Sequence, residues 1–176
     1  MPKSSNIYLV GMMGSGKSVT GKRLAVMLDC LFVDLDELIQ EKTRRTIVDI
    51  FEKEGEEFFR NLESSALKEV SGLGPKVIAT GGGTVLRPEN IVRMHDTGKI
   101  CFLETSVEVL WDRVKWKKDR PLLRQGDPKK NLEKIFEIRS PLYLKVSDLE
   151  VHTDGRTAQD VAQEIFDKLG NTNESN

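Results

Sequence analysis

The chain has 176 residues, 38% of them hydrophobic, and its 27 Lys and Arg against 28 Asp and Glu leave a formal net charge of −1. That length suits one domain with a full core, and the near-neutral charge removes any overall electrostatic drive towards nucleic acid or an anionic membrane. No apolar run approaches the roughly 20 residues of a membrane span, and the mostly polar residues 1–6 leave no room for a signal peptide, so the expected compartment is the cytoplasm.

The first element is Ile7-Tyr8-Leu9-Val10, a short apolar run between Asn6 and Gly11 that predicts a buried strand. Gly11-Met12-Met13-Gly14-Ser15-Gly16-Lys17-Ser18 follows and spells G-x-x-x-x-G-K-S. Thr20, Leu24, Met27 and Leu28 then recur at helical spacing, which completes the strand–loop–helix context of a phosphate-binding loop. The loop amides can meet phosphate oxygens only where no Cβ intervenes, hence Gly11, Gly14 and Gly16, and the helix adds the positive end of its dipole. In that arrangement Lys17 reaches the β- and γ-phosphates and the Ser18 hydroxyl takes a place on Mg²⁺. A glycine-rich turn with no ligand is the competing reading, and the filled fixed positions argue against it. The motif predicts a nucleoside triphosphate.

Further along, Leu31-Phe32-Val33, Val77-Ile78-Ala79, Ile100-Cys101-Phe102-Leu103 and a weaker Leu149-Glu150-Val151 predict strands two to five, alternating with helices. Thr46 to Glu54 predicts a helix closing at Gly55, and Phe59, Leu62, Ala66 and Val70 mark the buried stripe of the next. Pro88 suits a first helical position with Gly98 just past that helix's end, Thr105 with Glu108 predicts a capping box, and Asp127-Pro128 an N-cap. The last helix is expected from Thr157 to Gly170, followed by a polar tail, 171–176, expected to be disordered. The fold class is α/β, with a parallel sheet covered on both faces, in a single domain over 1–176.

Where many phosphate-loop proteins place an acid after a later strand, Val77-Ile78-Ala79-Thr80 runs instead into Gly81-Gly82-Gly83. The apolar strand that does end in acid is the second, delivering Asp34 and Asp36 to the crevice where open α/β sheets bind ligands. Asp34 suits a metal or water ligand and Asp36 a substrate hydroxyl; a helix N-cap with a first-turn acid is the alternative. Three successive glycines offer bare amides that a ligand can approach closely. Neither Asp-x-x-Gly nor Asn-Lys-x-Asp occurs, which disfavours a GTPase. Arg60 follows Phe59 early in an amphipathic helix, and Arg139 continues the Leu132, Ile135, Phe136 stripe where an apolar residue is expected. Such arginines need an anion, either a substrate carboxylate or an internal glutamate. Lys115 to Leu123 is a basic stretch that reads as a solvated loop or as a lid laying Arg120 on the phosphates. Cys30 and Cys101 read as buried thiols, and His95 and His152 as isolated surface or strand residues.

Taken together, these residues resemble the shikimate kinase family from Ile7 to about Leu169. The shared elements are the Gly11 to Ser18 loop, Asp34-x-Asp36, the block Ile50-Phe51, Gly55-Glu56, Phe59-Arg60 and Glu63, then Gly81-Gly82-Gly83, Arg120-Pro121-Leu122-Leu123 and Arg139-x-Pro141-Leu142-Tyr143. The resemblance implies a P-loop NTPase fold of the nucleoside-monophosphate-kinase type, a five-stranded parallel sheet with a mobile lid near 113–125. It also implies ATP-dependent phosphorylation of the 3-hydroxyl of shikimate, on the path to chorismate and the aromatic amino acids. Carried over, Lys17, Asp36 and Arg120 are the catalytic set; Gly14, Ser15, Gly16, Lys17, Ser18, Val19, Arg113 and Arg120 bind ATP; and Asp36, Arg60, Gly82 and Arg139 bind shikimate. Mg²⁺ would sit on Ser18 and, through water, Asp34, with Arg113 over the adenine. Val19 and Leu35 stand where the family often has Thr or Ser, and Asp154 to Ala158 departs from the relatives opposite the adenine. The expected partners are ATP and shikimate, with no nucleic acid and no membrane, and the expected state is a monomer. A gluconate-type kinase or a catalytically altered nucleotide-binding relative are the alternatives.

Overall fold

The structure is a computed structural model describing residues 5–72, 74–117, 121–123 and 126–171. Arg120, the rest of the expected lid at 118–119 and 124–125, and the tail from 172 lie outside the described residues. Five strands, β1 (Asn6–Val10), β2 (Leu31–Asp34), β3 (Lys76–Ala79), β4 (Gly98–Glu104) and β5 (Leu149–His152), form a parallel sheet in the order β2-β3-β1-β4-β5. Tyr8 of the central strand stands opposite Ile78 on one side and Ile100 on the other. Because the chain runs from β1 to the edge strand β2, returns to β3 and then crosses to β4 and β5 with all strands parallel, the carboxyl ends of β1, β2 and β3 lie at the end of the sheet that such folds use for ligands.

The side chains of β1 alternate between two cores. Tyr8 and Val10, with Ile78, Ile100 and Phe102, face α3 (Ile47–Ser71), α4 (Pro88–Thr97), α5 (Val107–Val114) and α6 (Pro128–Val146). Ile7 and Leu9, with Val77, Cys101 and Leu103, face α1 (Lys17–Met27) and α7 (Ala158–Asn171). Burial on both faces explains why β1, β3 and the middle of β4 read as continuous apolar runs instead of alternating ones.

Most predicted boundaries hold, and the departures have physical causes. Asp34 ends β2 and at once caps α2 (Leu35–Thr43), the helix that the N-cap alternative at Asp34 implies. The helix expected to close at Gly55 and the one after it are two arms of α3, meeting at Gly55 with φ 83 and ψ 174, a conformation open to glycine. The cap of α5 is Ser106, not Thr105: the Ser106 hydroxyl accepts from Val109 N–H, while the Thr105 hydroxyl pairs with that of Thr153 at 2.6 Å, tying the exits of β4 and β5. α7 ends at Asn171, one residue beyond Gly170. Cys101 is buried as expected, but Cys30 is only half-buried.

At the amino end of the sheet, buried Asn6 donates to the Ser71 carbonyl at 3.0 Å and the Tyr8 hydroxyl at 3.1 Å, and accepts from Lys76 N–H at 3.1 Å. Its own carbonyl lies so close to Gly98 that a Cβ there would stand 2.2 Å away. Asn6→Ala strands several of these groups without water. It should lower unfolding free energy by about 2–4 kcal/mol in urea titration while leaving turnover of the folded protein unchanged. A loss below about 0.5 kcal/mol would show that the network holds nothing.

Candidate active site

The loop between β1 and α1 has positive φ at Gly11, Gly14 and Gly16 (143, 84 and 92). Buried Ser15 donates its N–H to Met12 O at 3.2 Å, and Thr20 N–H makes the first helical bond, to Gly16 O at 2.9 Å. The amides of Lys17, Ser18 and Val19 therefore precede the helical ladder, and the first turn of α1 contains no acidic residue. Amides that precede the ladder at the positive end of a helix dipole form a site for an anion. Lys17 donates to the carbonyls of Gly11 and Met12, each at 2.8 Å, so its ammonium is held across the loop. Val19 is exposed, so what it offers is its backbone. Exposed Arg113 donates to Gly14 O at 3.0 Å, which places α5 beside the loop. Asp154 accepts from Ser106 N–H at 3.1 Å and so joins the two loops that flank that side.

Asp34 is both cap and ligand candidate. One carboxylate oxygen accepts from the N–H groups of Asp36 and Glu37 at 3.0 and 3.3 Å; the other accepts from the Ser18 hydroxyl at 2.5 Å. The two readings of Asp-x-Asp are thus compatible: the capping bonds fix the carboxylate that faces Ser18. A hydroxyl and a carboxylate are hard oxygen donors of the kind that Mg²⁺ takes, directly or through water. Both residues line a cleft of about 770 Å³ together with Asp36, Arg60, Gly81, Gly82, Gly83, Arg139, Pro121 and Leu122. Pro121 and Leu122 are the residues immediately after Arg120, and the described part of the expected lid also contains the exposed Trp116. The structure thus brings Ser18, Asp34, Asp36, Arg60, Gly82 and Arg139 to one cavity.

The two arginines differ in their surroundings. Arg60 donates from Nη1 to Glu63 at 2.8 Å, and from Nε and Nη2 to Glu56 at 3.2 and 2.9 Å. Burial pulls its pKa down, but the charges of Glu63 and Glu56 outweigh it and hold Arg60 above its usual value. The internal ion pair considered for Arg60 is real. It uses three of the five guanidinium N–H groups and leaves one on each terminal nitrogen. Arg139 is equally buried at 6% exposure, and among the described residues no carboxylate lies within ion-pair distance of it.

The glycine run is a floor under these charges as much as a set of open amides. A Cβ on Gly81 would lie 2.0 Å from Glu63 Oε1, and one on Gly83 would lie 2.2 Å from the Arg60 guanidinium carbon. Glu63, the last residue of the block shared with the family, has a structural role of its own. It is fully buried and accepts from the Thr84 hydroxyl at 2.6 Å as well as from Arg60. The signal was available: Glu63 sits on the Phe59, Ala66, Val70 stripe, and a charge there, three residues after Arg60, demands a partner.

With this geometry in place, known proteins give a consistent answer. The shikimate kinase family model matches residues 13–170. The shikimate kinase of Caldanaerobacter subterraneus subsp. tengcongensis is 41% identical over 161 residues, covering 92% of this chain and 94% of the relative. The solved shikimate kinase of Acinetobacter baumannii in complex with shikimate superposes with a TM-score of 0.93 at 39% identity, covering 98% of this chain and 96% of that one. A gluconokinase from Sinorhizobium meliloti reaches a TM-score of 0.64 at 17% identity, a likeness of fold alone. Phosphate loop, paired aspartates and an arginine-lined cleft over three glycines thus coincide with relatives that run the length of the molecule: the chain belongs to the shikimate kinase family.

Proposed function

We propose that this protein transfers the γ-phosphoryl group of ATP to the 3-hydroxyl of shikimate, giving shikimate 3-phosphate and ADP for the synthesis of chorismate and the aromatic amino acids. One observation carries the reading: two buried guanidinium groups and Asp36 share a cleft with the phosphate-loop residue Ser18. A cleft so lined suits a small acceptor that carries a carboxylate at one end and hydroxyls at the other. Arg139 and the remaining N–H groups of Arg60 would take the carboxylate, with the Gly82 amide against the ring. Asp36 would orient the attacking hydroxyl. Its oxygen bonds to the γ-phosphorus as the bond to the β,γ-bridging oxygen breaks, and its proton leaves to the Asp36 carboxylate or to solvent.

Lys17 would swing from its loop carbonyls to the β- and γ-phosphates, and Arg120 would join it over the transferring group. Gly14, Ser15, Gly16, Ser18 and Val19 would supply loop contacts, and Arg113, which donates to the Gly14 carbonyl, would cover the base. Ser18 and Asp34 fit Mg²⁺, which when bound neutralises charge on the β- and γ-phosphate oxygens. Segments near 113–125 would close over the filled cleft and exclude water. The reading includes a monomer acting in the cytoplasm, without nucleic-acid or membrane partners. No helix among the described residues is long and apolar enough to cross a membrane.

The direct test is ADP release measured with shikimate, quinate and gluconate side by side: shikimate should be preferred by orders of magnitude, and equal use of gluconate would remove the reading. Lys17→Ala should lower kcat by about 100-fold or more without moving the melting temperature; near-normal turnover would rule out the phosphate-loop role. Asp36→Asn should lower kcat strongly and leave ATP binding nearly unchanged, whereas equal losses of affinity for ATP and shikimate with normal kcat would assign it a structural role.

The arginines should separate in a way their surroundings dictate. Arg139→Ala should lose about 30- to 1000-fold in kcat/KM for shikimate and keep the melting temperature of the free protein, with Arg139→Lys a poor rescue. Arg60→Ala should lose shikimate as well and also destabilise the protein by about 3–5 kcal/mol, because Glu63 is left charged and buried. Paired melts and shikimate KM values on these variants check both statements; a destabilised Arg139→Ala with normal KM would take Arg139 out of the site.

A further inference from the structure

Tyr143 lies one helical turn beyond Arg139 on α6 and is fully buried, its ring against Phe102 with centroids 5.3 Å apart. Its hydroxyl donates to the Gly82 carbonyl at 2.5 Å and sits 3.8 Å from the Met12 sulfur of the phosphate loop. The point where a Gly82 Cβ would stand is 3.5 Å from the Tyr143 hydroxyl and also 3.5 Å from Arg139 Nη1. On the next residue, the Gly83 Cβ position falls 2.2 Å from the Arg60 guanidinium carbon. The peptide joining Gly82 to Gly83 therefore runs between the two guanidinium groups, and Tyr143 holds its carbonyl.

We propose that Tyr143 is a positioning residue for the acceptor: its hydrogen bond to Gly82 fixes the plane of the Gly82–Gly83 peptide and, through it, the spacing of Arg139 and Arg60 about the acceptor carboxylate. The inference rests on the shikimate reading given above. Glycine peptides have no side chains to hold their orientation, so a run of three needs an outside grip to stay in one conformation. In a trans peptide the N–H points opposite the carbonyl, so gripping Gly82 O also aims the Gly83 N–H away from Tyr143. Two-pronged recognition of a carboxylate tolerates displacements of only about 0.5 Å, and a peptide free to rotate between the two prongs would exceed that. Burial pushes the Tyr143 hydroxyl pKa up to about 12, with the Arg139 charge opposing, so the group stays a donor throughout the range in which the enzyme can work.

Tyr143→Phe keeps the ring and removes only the grip. The expected result is a shikimate KM raised about tenfold, with ATP KM and kcat within about twofold of the parent. The preference for shikimate over its uncharged carboxamide should shrink by the same factor, because only the carboxylate needs the two prongs. A purely structural role would weaken both acceptors alike, and that result, or an unchanged shikimate KM, overturns the proposal. Arg139→Ala measured alongside separates the layers: if it too leaves shikimate unaffected, the acceptor reading itself fails; if it loses shikimate while Tyr143→Phe does not, only the Tyr143 inference fails. Should the Phe variant not fold, 3-fluorotyrosine incorporated at Tyr8 and Tyr143, the chain's 2 tyrosines, gives a second test. One ¹⁹F resonance should move on adding shikimate and stay put with the carboxamide; movement with both, or with neither, counts against Tyr143.

Discussion

Everything around the cleft is arranged about the ion pair between Arg60 and Glu63. Glu63 has no exposure at all, so its carboxylate must be met by charge and by hydrogen bonds, and Arg60 and the Thr84 hydroxyl meet it. A buried pair of this kind is poor evidence of stability, since desolvation offsets most of the attraction, yet losing one partner is severe. Its use here is geometric: it holds a guanidinium with two N–H groups in reserve at the wall of a cavity. The same pair dictates the chain beneath it, because any Cβ on Gly81 or Gly83 would collide with Glu63 or Arg60. The glycine run and the ion pair are one device, separated by about twenty residues in sequence and joined where β3 ends above α3.

The opposite wall obeys the reverse electrostatic rule. Around the phosphate loop the first turn of α1 carries no carboxylate and Lys17 donates to the carbonyls of Gly11 and Met12, so an incoming polyanion would meet the positive end of a helix. Asp34 is the exception that makes chemical sense. It spends one oxygen on capping α2 and turns the other to Ser18, which confines negative charge to the spot where a divalent cation would stand. Topology makes this economy possible: with parallel strands, the loop after β1, the cap after β2 and the glycines after β3 all emerge at the same end of the sheet.

Much of this was legible in the sequence, and what was missed was missed for stated reasons. Strands buried on both faces announced themselves as unbroken apolar runs, and Gly55 and Asp127 marked their helix boundaries through backbone and capping chemistry that is local. The phosphate loop is likewise a local code. Thr105 reads as a cap because Thr and Ser both can cap, and only the cross-sheet bond to Thr153 takes Thr105 away and leaves Ser106 in that place. Tyr143 escaped because its contact lies about sixty positions away, whereas Glu63 had a local signal in Arg60 and only its contacts with Gly81 and Thr84 lie about twenty positions away. For Arg60 the sequence posed the right choice, substrate anion or internal glutamate, and could not reveal that the geometry accommodates both.

The asymmetry between the two arginines bears on selectivity. Arg60 has its counter-charges before any ligand arrives, so its desolvation is already compensated, and on the proposed reading an acceptor would add only the last two hydrogen bonds. Arg139 has no such partner among the described residues and rests against a glycine peptide and a tyrosine hydroxyl. Closing the cleft over a neutral acceptor would strip water from Arg139 and give it no anion in return, a penalty of several kcal/mol for an isolated buried charge. Closing it over a carboxylate satisfies that charge. On the proposed reading, discrimination in favour of an anionic acceptor would therefore come less from what Arg139 gains with the right substrate than from what it is left without in the presence of the wrong one. That logic requires the arm to be rigid, since a guanidinium free to swing out to solvent would escape the penalty, and the packing of Arg139 against Gly82 and Tyr143 supplies the rigidity.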